Sequence, residues 1–323
     1  MNAKVKNTTI ITLLALALTL ALVAAVLLTP ATGAAESINP RTSTSAIVSN
    51  EDILPDGQVK ERLTQAPEGY TAIGGDSGKD FSAVRSNPSG KYILMGDIAV
   101  NTLDTTTIFS GVLDGNGYKI TLQGTYDNTG SFNAGGLFAD VTGTIKNLTV
   151  DVQRFEVGVG SSGNHYAGMI CGQLYGNGLI ENVKVELNYS PSNNGTGTDC
   201  DHYMYAYGNL SGKYDLILGG VAGLTNENAT LRNVTVENNA EGQGFSARSM
   251  VTSPWLGTNT TGAAVGGFVG RAGSSSGTTT TFQNVTYTGS SSSYIAVRAH
   301  STGSGKAANG NAGVLAGDRK SVV

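Results

Sequence analysis

The stretch at residues 145–150 reads IKNLTV, and three later stretches repeat its pattern: IENVKV at 180–185, LRNVTV at 231–236 and FQNVTY at 282–287. In each stretch, apolar and polar residues alternate around an asparagine in the third position. Alternation with a period of two puts every second side chain on the same face of a β-strand. A strand with one apolar face cannot bury that face alone, so the copies predict strands that stack into a shared core.

Each copy is preceded by a pair of small residues and a short apolar run. The pairs are Gly135 and Gly136, Ala167 and Gly168, Gly219 and Gly220, and Gly266 and Gly267. A fifth pair, Ala312 and Gly313, begins a copy that runs only to Gly317. Glycine lets the chain turn sharply or approach the backbone of the neighbouring copy. Successive copies lie roughly 30 to 50 residues apart, which predicts one or two coils per copy with insertions expelled as loops.

The repeat asparagines have two structural interpretations. Side chains at the same position of stacked strands form a ladder in which each amide hydrogen-bonds to the next. Alternatively, each asparagine only adopts the left-handed conformation that a turn requires. The residues concerned are Asn147, Asn182, Asn233 and Asn284.

The segment before the repeats carries its own signals. Asp80 is placed to cap a short helix at 80–86, which shows Phe81 and Val84 as apolar residues and is predicted to cover the first end of the stack. A strand is predicted at 92–100, and the sequence DGNG at 114–117 marks a turn between two apolar stretches.

These copies resemble the GLUG motif, a short repeat of large exported bacterial and archaeal proteins. The resemblance covers 135–287 with a fragment at 312–317, and the segment 69–122 is similar to a lead-in module that often precedes such repeats. It implies an all-β fold, a right-handed parallel β-helix (a solenoid), and a cell-surface location, without a single activity. Some relatives carry a metallopeptidase domain, but this chain lacks the His-Glu-x-x-His zinc motif.

The chain begins with the pattern of a secretory signal peptide. Lys4 and Lys6 precede an apolar run at 10–28, and small residues follow up to Ala35. The predicted organisation is a signal peptide at 1–35, a flexible linker at 36–68, a lead-in and cap at 69–134 and repeats at 135–317. An uncleaved signal anchor is the alternative, and both place the remainder outside the cytoplasm, at the cell surface.

The last six residues, 318–323, differ from everything before them. Three of the six are charged, whereas charged residues make up 14% of the chain. The string resembles the translation of a sequencing adapter, and together with the interrupted fifth copy it predicts a fragment of a larger protein. A membrane anchor would then lie in the missing C-terminal part, unless the N-terminal segment serves as one.

Composition excludes some classes of function. A formal net charge of −4 provides no basic footprint for nucleic acid. Hydrophobic residues make up 39% of the chain, which argues for a packed core.

The two cysteines, Cys171 and Cys200, either form a disulfide, which export permits, or leave Cys171 as a buried free thiol.

No catalytic, metal or cofactor site emerges from the sequence. The three histidines, His165, His202 and His300, lack metal-ligand spacing. Glycoside hydrolysis needs two carboxylates across the scissile bond, and no acidic pair recurs on adjacent predicted strands. The sequence therefore favours a non-catalytic adhesion or scaffold module, with a carbohydrate-active enzyme (a polysaccharide lyase or glycoside hydrolase) as the alternative.

One inserted segment is rich in tyrosine. Tyrosine combines an apolar ring with a polar tip, which suits contact with glycans or with host and matrix proteins. The alternation within the segment equally predicts an additional strand with one buried face. The tyrosines are Tyr189, Tyr203, Tyr205, Tyr207 and Tyr214.

Overall fold

The computed structural model describes residues 62–128, 133–159, 163–188, 202–206, 214–239, 248–253, 261–273, 279–289, 296–301 and 308–319. The predicted signal peptide at 1–35 and the linker up to residue 61 lie outside these ranges. Within them the chain is almost entirely β-structure in parallel sheets, so the predicted all-β parallel fold is confirmed at that level.

The described strands form three sheets, and every named strand pair in them is parallel. The first sheet contains β1 (Thr71–Ile73), β2 (Lys91–Leu94), β3 (Ile98–Val100), β5 (Val112–Asp114), β6 (Lys119–Asn128), β9 (Thr144–Val159), β12 (Leu179–Leu187), β13 (His202–Ala206), β16 (Ala229–Asn238), β17 (Arg248–Ser253), β20 (Thr280–Gly289) and β21 (Ala296–Ser301). The second contains β7 (Ala134–Gly135), β10 (Gly163–Gly168), β14 (Tyr214–Gly219), β18 (Thr261–Gly266) and β22 (Ala308–Gly313). The third contains β4 (Ile108–Phe109), β8 (Phe138–Val141), β11 (Cys171–Leu174), β15 (Ala222–Thr225), β19 (Val269–Ala272) and β23 (Ala316–Arg319).

Each copy contributes a strand to each sheet, and equivalent residues of successive copies are neighbours. Val183 on β12 is in register with Leu148 on β9 and with Val234 on β16, and Val234 is in register with Val285 on β20. This is the register that the six-residue pattern predicts. The sequence pattern contained only two strands per copy, and the strand before the glycines was missed.

The repeat asparagine shapes the inner face of the first sheet. On β12, Ile180, Val183 and Val185 are all fully buried, although two residues separate the first pair and one residue separates the second. Asn182, between Ile180 and Val183, has a positive φ of 52°. A left-handed residue rotates the chain at this point, so apolar residues on both sides of it reach the same core.

The glycines align differently from the pairs in the sequence. The strand register brings Gly168, Gly219, Gly266 and Gly313 into one column. Gly168 and Gly313 are the second residues of their pairs, whereas Gly219 and Gly266 are the first residues of theirs. The remaining glycine is also constrained, because a Cβ on Gly220 would overlap the backbone oxygen of Gly267 in the next copy. Backbone stacking between copies therefore sets the alignment.

The predicted strand at 92–100 is wrong as a single element. The chain bends at Gly96, where the backbone of Gly75 approaches too closely for any side chain, and β2 and β3 pair with different neighbours. The predicted helix is present as α1 (Ser82–Ser86). Asp80 Oδ1 accepts a hydrogen bond from the Ser82 N–H at 2.9 Å, and hydrogen bonding from Ser82 lowers the pKa of Asp80.

The α1 helix is packed into the core. Phe81 and Val84 are buried, and the Phe81 ring lies 5.3 Å from that of Phe138. Arg85 forms an ion pair with Asp104 at 3.2 Å and donates to the backbone oxygen of Leu137 at 3.1 Å. The helix is thereby joined to the third sheet by apolar and charged contacts.

Two short segments at the borders of the predicted domains have defined contacts. Leu63, in the predicted linker, exchanges two hydrogen bonds with the Asn116 side chain at 2.9 and 3.0 Å. Asp318 and Arg319, in the predicted adapter-derived tail, end β23 in register with Arg271 and Ala272. Residues 320–323 lie outside the described ranges.

Candidate functional site

A cleft of about 290 Å³ opens where two strands of the third sheet run into the turns that lead to the first sheet. Gln173 on β11 and Leu224 on β15 are in register and form its floor. Tyr175, Asn226 and Glu227, in the turns that follow, complete the lining. The lining combines one aromatic ring, two amides, a carboxylate and one aliphatic side chain, which together offer hydrogen-bond donors and acceptors to a polar molecule.

The two turns are held together by backbone geometry. The Asn177 N–H donates to the Glu227 backbone oxygen at 3.0 Å. Gly176, Asn177 and Asn228 have the positive φ angles usual for glycine and asparagine, at 59°, 67° and 64°. Glu227 also has a positive φ of 49°, a conformation in which a long side chain is uncommon. The chain thus holds a carboxylate at the rim where the preceding copy has a glycine.

Asp140 extends the polar character of the cleft to the adjacent strand. Gln173 is in register with Asp140 and donates from Nε2 to Asp140 Oδ1 at 3.0 Å. Burial raises the pKa of Asp140, and the hydrogen bond from Gln173 offsets part of that effect. Burial, followed by the charges of Asp140 and Glu227, raises the pKa of Tyr175, so its phenol stays a proton donor near neutral pH.

The repeat asparagines are joined by their side chains. Asn182 Nδ2 donates to Asn147 Oδ1 at 3.3 Å, Asn233 to Asn182 at 2.9 Å, and Asn284 to Asn233 at 3.0 Å. Asn147 Nδ2 in turn donates to Asp114 Oδ1 at 3.0 Å. All four asparagines have φ between 52° and 54°. The ladder and the left-handed turn, which the sequence left as alternatives, occur together in the same residues.

A second amide ladder was missed in the sequence. Asn188 Nδ2 donates to Asp151 Oδ1 at 2.6 Å, and Asn239 Nδ2 donates to Asn188 Oδ1 at 3.0 Å. A signal was available, because Asn188 follows Asn182 at the same spacing as Asn239 follows Asn233. Both ladders begin at an aspartate, which accepts the first amide.

The outward face of the first sheet pairs its charges between strands. Asp151, Glu186 and Glu237 are in register on three adjacent strands. Lys119 lies 3.6 Å from Glu186, and Lys184 lies 2.8 Å from Glu186 and 2.9 Å from Glu237. Partial burial acts to lower the pKa of Lys184, but hydrogen bonds to both glutamates raise it overall. The two lysines thus offset part of the negative charge of the three carboxylates along this face.

The predicted tyrosine loop is described only in part. Tyr203 and Tyr205 belong to β13, which pairs with β9 and β17, so this part of the loop is an additional strand. Tyr214 begins β14, while Tyr189 and Tyr207 lie outside the described residues.

Cys171 is a free thiol buried in the core. Burial, with a contribution from the charge of Asp140, raises its pKa well above the ordinary value. Cys200 lies outside the described residues.

In the part of the chain that the structure describes, no group of three or more His, Cys, Asp or Glu side chains is arranged to hold a metal ion. Over the same ranges, no helix has the length and apolar character needed to cross a membrane.

Comparison of the chain with models of protein families, with curated proteins and with solved structures gave no match.

Proposed function

We propose that this chain is an exported right-handed β-helix of the GLUG-like repeat type that serves, without catalysis, as an adhesion or scaffold module at the cell surface. The observation that carries the proposal is the register of successive copies, in which equivalent residues pair in all three parallel sheets. Such stacking buries a continuous core and leaves the outer faces and turns for display.

The two side-chain ladders favour the proposal because they stiffen the frame from which the variable segments would be displayed. Rungs such as Asn182 to Asn147 and Asn239 to Asn188 join copies outside the backbone pairing. The copies differ mainly in the stretch between the first-sheet strand and the next second-sheet strand. This stretch is short between Val159 and Gly163 and long between Leu187 and Tyr214. Variable insertions on a constant frame are the arrangement expected of a binding scaffold.

The location of the proposed module rests on the N-terminal pattern, in which Lys4 and Lys6 precede an apolar run. Surface biotinylation of cells that express the full chain should label the protein, whereas a form without residues 1–35 should stay unlabelled inside the cell. Equal labelling of both forms would contradict the proposed export.

Adhesion is tested by probing arrays of glycans and of extracellular-matrix proteins with the mature chain. A heat-unfolded sample serves as the control for nonspecific retention. Saturable binding to a defined subset of probes supports the proposal, and the absence of saturable binding to any probe would contradict the adhesion role.

A carbohydrate-active enzyme is the second candidate, and one observation favours it. Asp140 and Glu227 both act electrostatically on Tyr175, and burial raises the pKa of Asp140 as is usual for a general acid. Incubation with polysaccharides, followed by reducing-end and unsaturated-product assays, distinguishes the two candidates. Turnover that is lost in Asp140→Asn would establish the enzyme.

A further inference from the structure

We propose that the cleft formed by Gln173, Tyr175, Leu224, Asn226 and Glu227 is a subsite for one uncharged sugar residue of a glycan and that it rejects acidic sugars. The inference rests on the proposed adhesion function and specifies where and what the module binds. None of these residues belongs to the tyrosine-rich segment that the sequence singled out.

The size of the cleft limits the ligand. Its volume of about 290 Å³ lies just below the range typical of small-molecule sites, roughly 300 to 1,000 Å³. One pyranose ring fits such a space, whereas a compact oligosaccharide does not. A longer glycan would place one residue in the cleft and leave the others along the outer surface.

The chemistry of the lining matches that of a sugar. The half-buried Tyr175 ring offers an apolar surface and a phenol that stays protonated, which suits a ring with C–H faces and hydroxyl edges. The Gln173 amide is oriented by its hydrogen bond to Asp140, which leaves the amide oxygen available to accept from a hydroxyl group. Glu227 is exposed at the rim and provides a charged acceptor, which forms stronger hydrogen bonds than a neutral one.

The charge of the site determines its selectivity. Among the residues that the structure describes, the lining contains no lysine or arginine. Arg271, in register with Leu224, is the basic neighbour and forms an ion pair with Asp215 at 3.1 Å, whereas Asp140 and Glu227 are both acidic. An acidic sugar would bring a further negative charge next to the half-buried Asp140 carboxylate, where repulsion is stronger than in water, and near the exposed Glu227. A neutral sugar avoids this cost and still satisfies the amides, the phenol and the carboxylate.

The conformation of Glu227 is an independent reason to expect a role. A glutamate at a φ of 49° is strained relative to glycine, and the equivalent position in the preceding copy is Gly176. Glycine at position 227 would therefore leave the fold intact. Glu227→Gly is for that reason a variant that removes the carboxylate without unfolding the protein.

The test is ligand-observed NMR titration of the full chain with methyl glucoside, methyl N-acetylglucosaminide and methyl glucuronide. We expect the two neutral sugars to bind and the glucuronide to bind at least about tenfold more weakly, as an unfavourable charge contact of ordinary strength predicts. Equal binding of glucuronide and glucoside would overturn the proposed selectivity.

Variants distinguish the cleft from the rest of the surface. Tyr175→Ala and Glu227→Gly should each weaken glucoside binding about tenfold or more, while Glu227→Gly melts at or above the wild-type temperature. Glu227→Gln keeps an acceptor but loses the charge, so it should bind glucoside and narrow the difference from glucuronide. Thr142→Ala, at the equivalent turn of the first copy, is the matched control and should bind as wild type.

The outcomes separate this inference from the proposed function. If the chain binds glycans on an array but Tyr175→Ala and Glu227→Gly bind them unchanged, the cleft assignment is overturned and the adhesion function stands. If the wild-type chain binds neither array glycans nor the methyl glycosides, the cleft assignment is overturned together with glycan adhesion.

Discussion

The two ends of the first sheet carry similar apolar patterns but differ in how these residues are covered. At the β1 end, Ile73 is fully buried, and α1 contributes the fully buried Val84 to the same core cluster. At the β20 end, Val285 is half-buried although it matches the fully buried Val183, and Val314 is 54% exposed. In the described part of the chain β20 pairs with β16 alone. Burial in these strands is therefore supplied by the neighbouring copy rather than by the strand's own pattern.

The largest effect is expected from placing a charge at an inner position and at the outermost described position of one column of valines. Val234 is fully buried between Val183 and Val285, so Val234→Asp should destabilise the protein by more than about 4 kcal/mol and unfold the adjoining copies. Val285→Asp should cost clearly less, because its carboxylate can reach water. Urea unfolding followed by circular dichroism measures both effects, and Thr235→Asp, at an outward position beside Lys184, is the control. Equal destabilisation by the two valine changes would refute the comparison.

A second test removes the ion pair that joins α1 to the segment between β3 and β4. The Asp104 side chain is 5% exposed and loses its cation in Arg85→Ala, which should cost about 3 kcal/mol, the usual penalty for breaking a buried pair. Asp104→Asn keeps an acceptor for the Thr106 and Thr107 N–H groups, both at 2.9 Å. The double variant should therefore be more stable than the sum of the single changes predicts. Strict additivity in the double-mutant cycle would show that the pair contributes no coupling.

A third, smaller difference is expected between an inner and an outer rung of the asparagine ladder. Asn182→Gly preserves the left-handed conformation but removes the hydrogen bonds to Asn147 and Asn233, at a cost of roughly 1 to 3 kcal/mol. Asn284→Gly removes one exposed hydrogen bond and should cost less than about 1 kcal/mol.

The matched variant Asn182→Ala loses the same hydrogen bonds and adds the strain of alanine at positive φ, about 1 to 2 kcal/mol. Chemical denaturation of the three variants separates the two contributions. If Asn182→Ala and Asn182→Gly were equally stable, the conformational requirement at this position would be wrong.

The smallest effect concerns pH and Asp140. Because burial raises the folded-state pKa of Asp140 above the ordinary value of an aspartate, the folded chain binds this proton more tightly than the unfolded chain. The resulting stabilisation is fully present below the unfolded pKa and is lost as pH rises through the folded pKa. Asp140→Asn should therefore be slightly more stable than wild type at neutral pH, and the advantage should vanish on acidification. Melting temperatures measured across this pH window test the sign, and an advantage that grew on acidification would contradict it.

The candidate site shows why sequence reasoning reached only part of the molecule. The asparagine ladder was accessible because its members occupy the same place in a short repeated pattern. Tyr175 and Glu227 occur in turns of different sequence, YGNG and NENA, which do not reveal that they lie side by side. The tyrosine-rich segment is recognisable from its composition and its alternation. The cleft instead depends on the strand register between copies, which neither of these reveals.

The sequence by itself determined which side chains of the six-residue copies face the core, since the apolar residues on both sides of the asparagine reach one core only when that asparagine is left-handed. It also determined where the chain needs left-handed or side-chain-free positions, because few residues other than asparagine and glycine adopt or permit them at low cost. Only the tertiary structure decided which glycines align, how fully each apolar residue is buried and which polar residues meet at the cleft. These features depend on contacts between copies distant in sequence, and backbone pairing and close approach between copies select them.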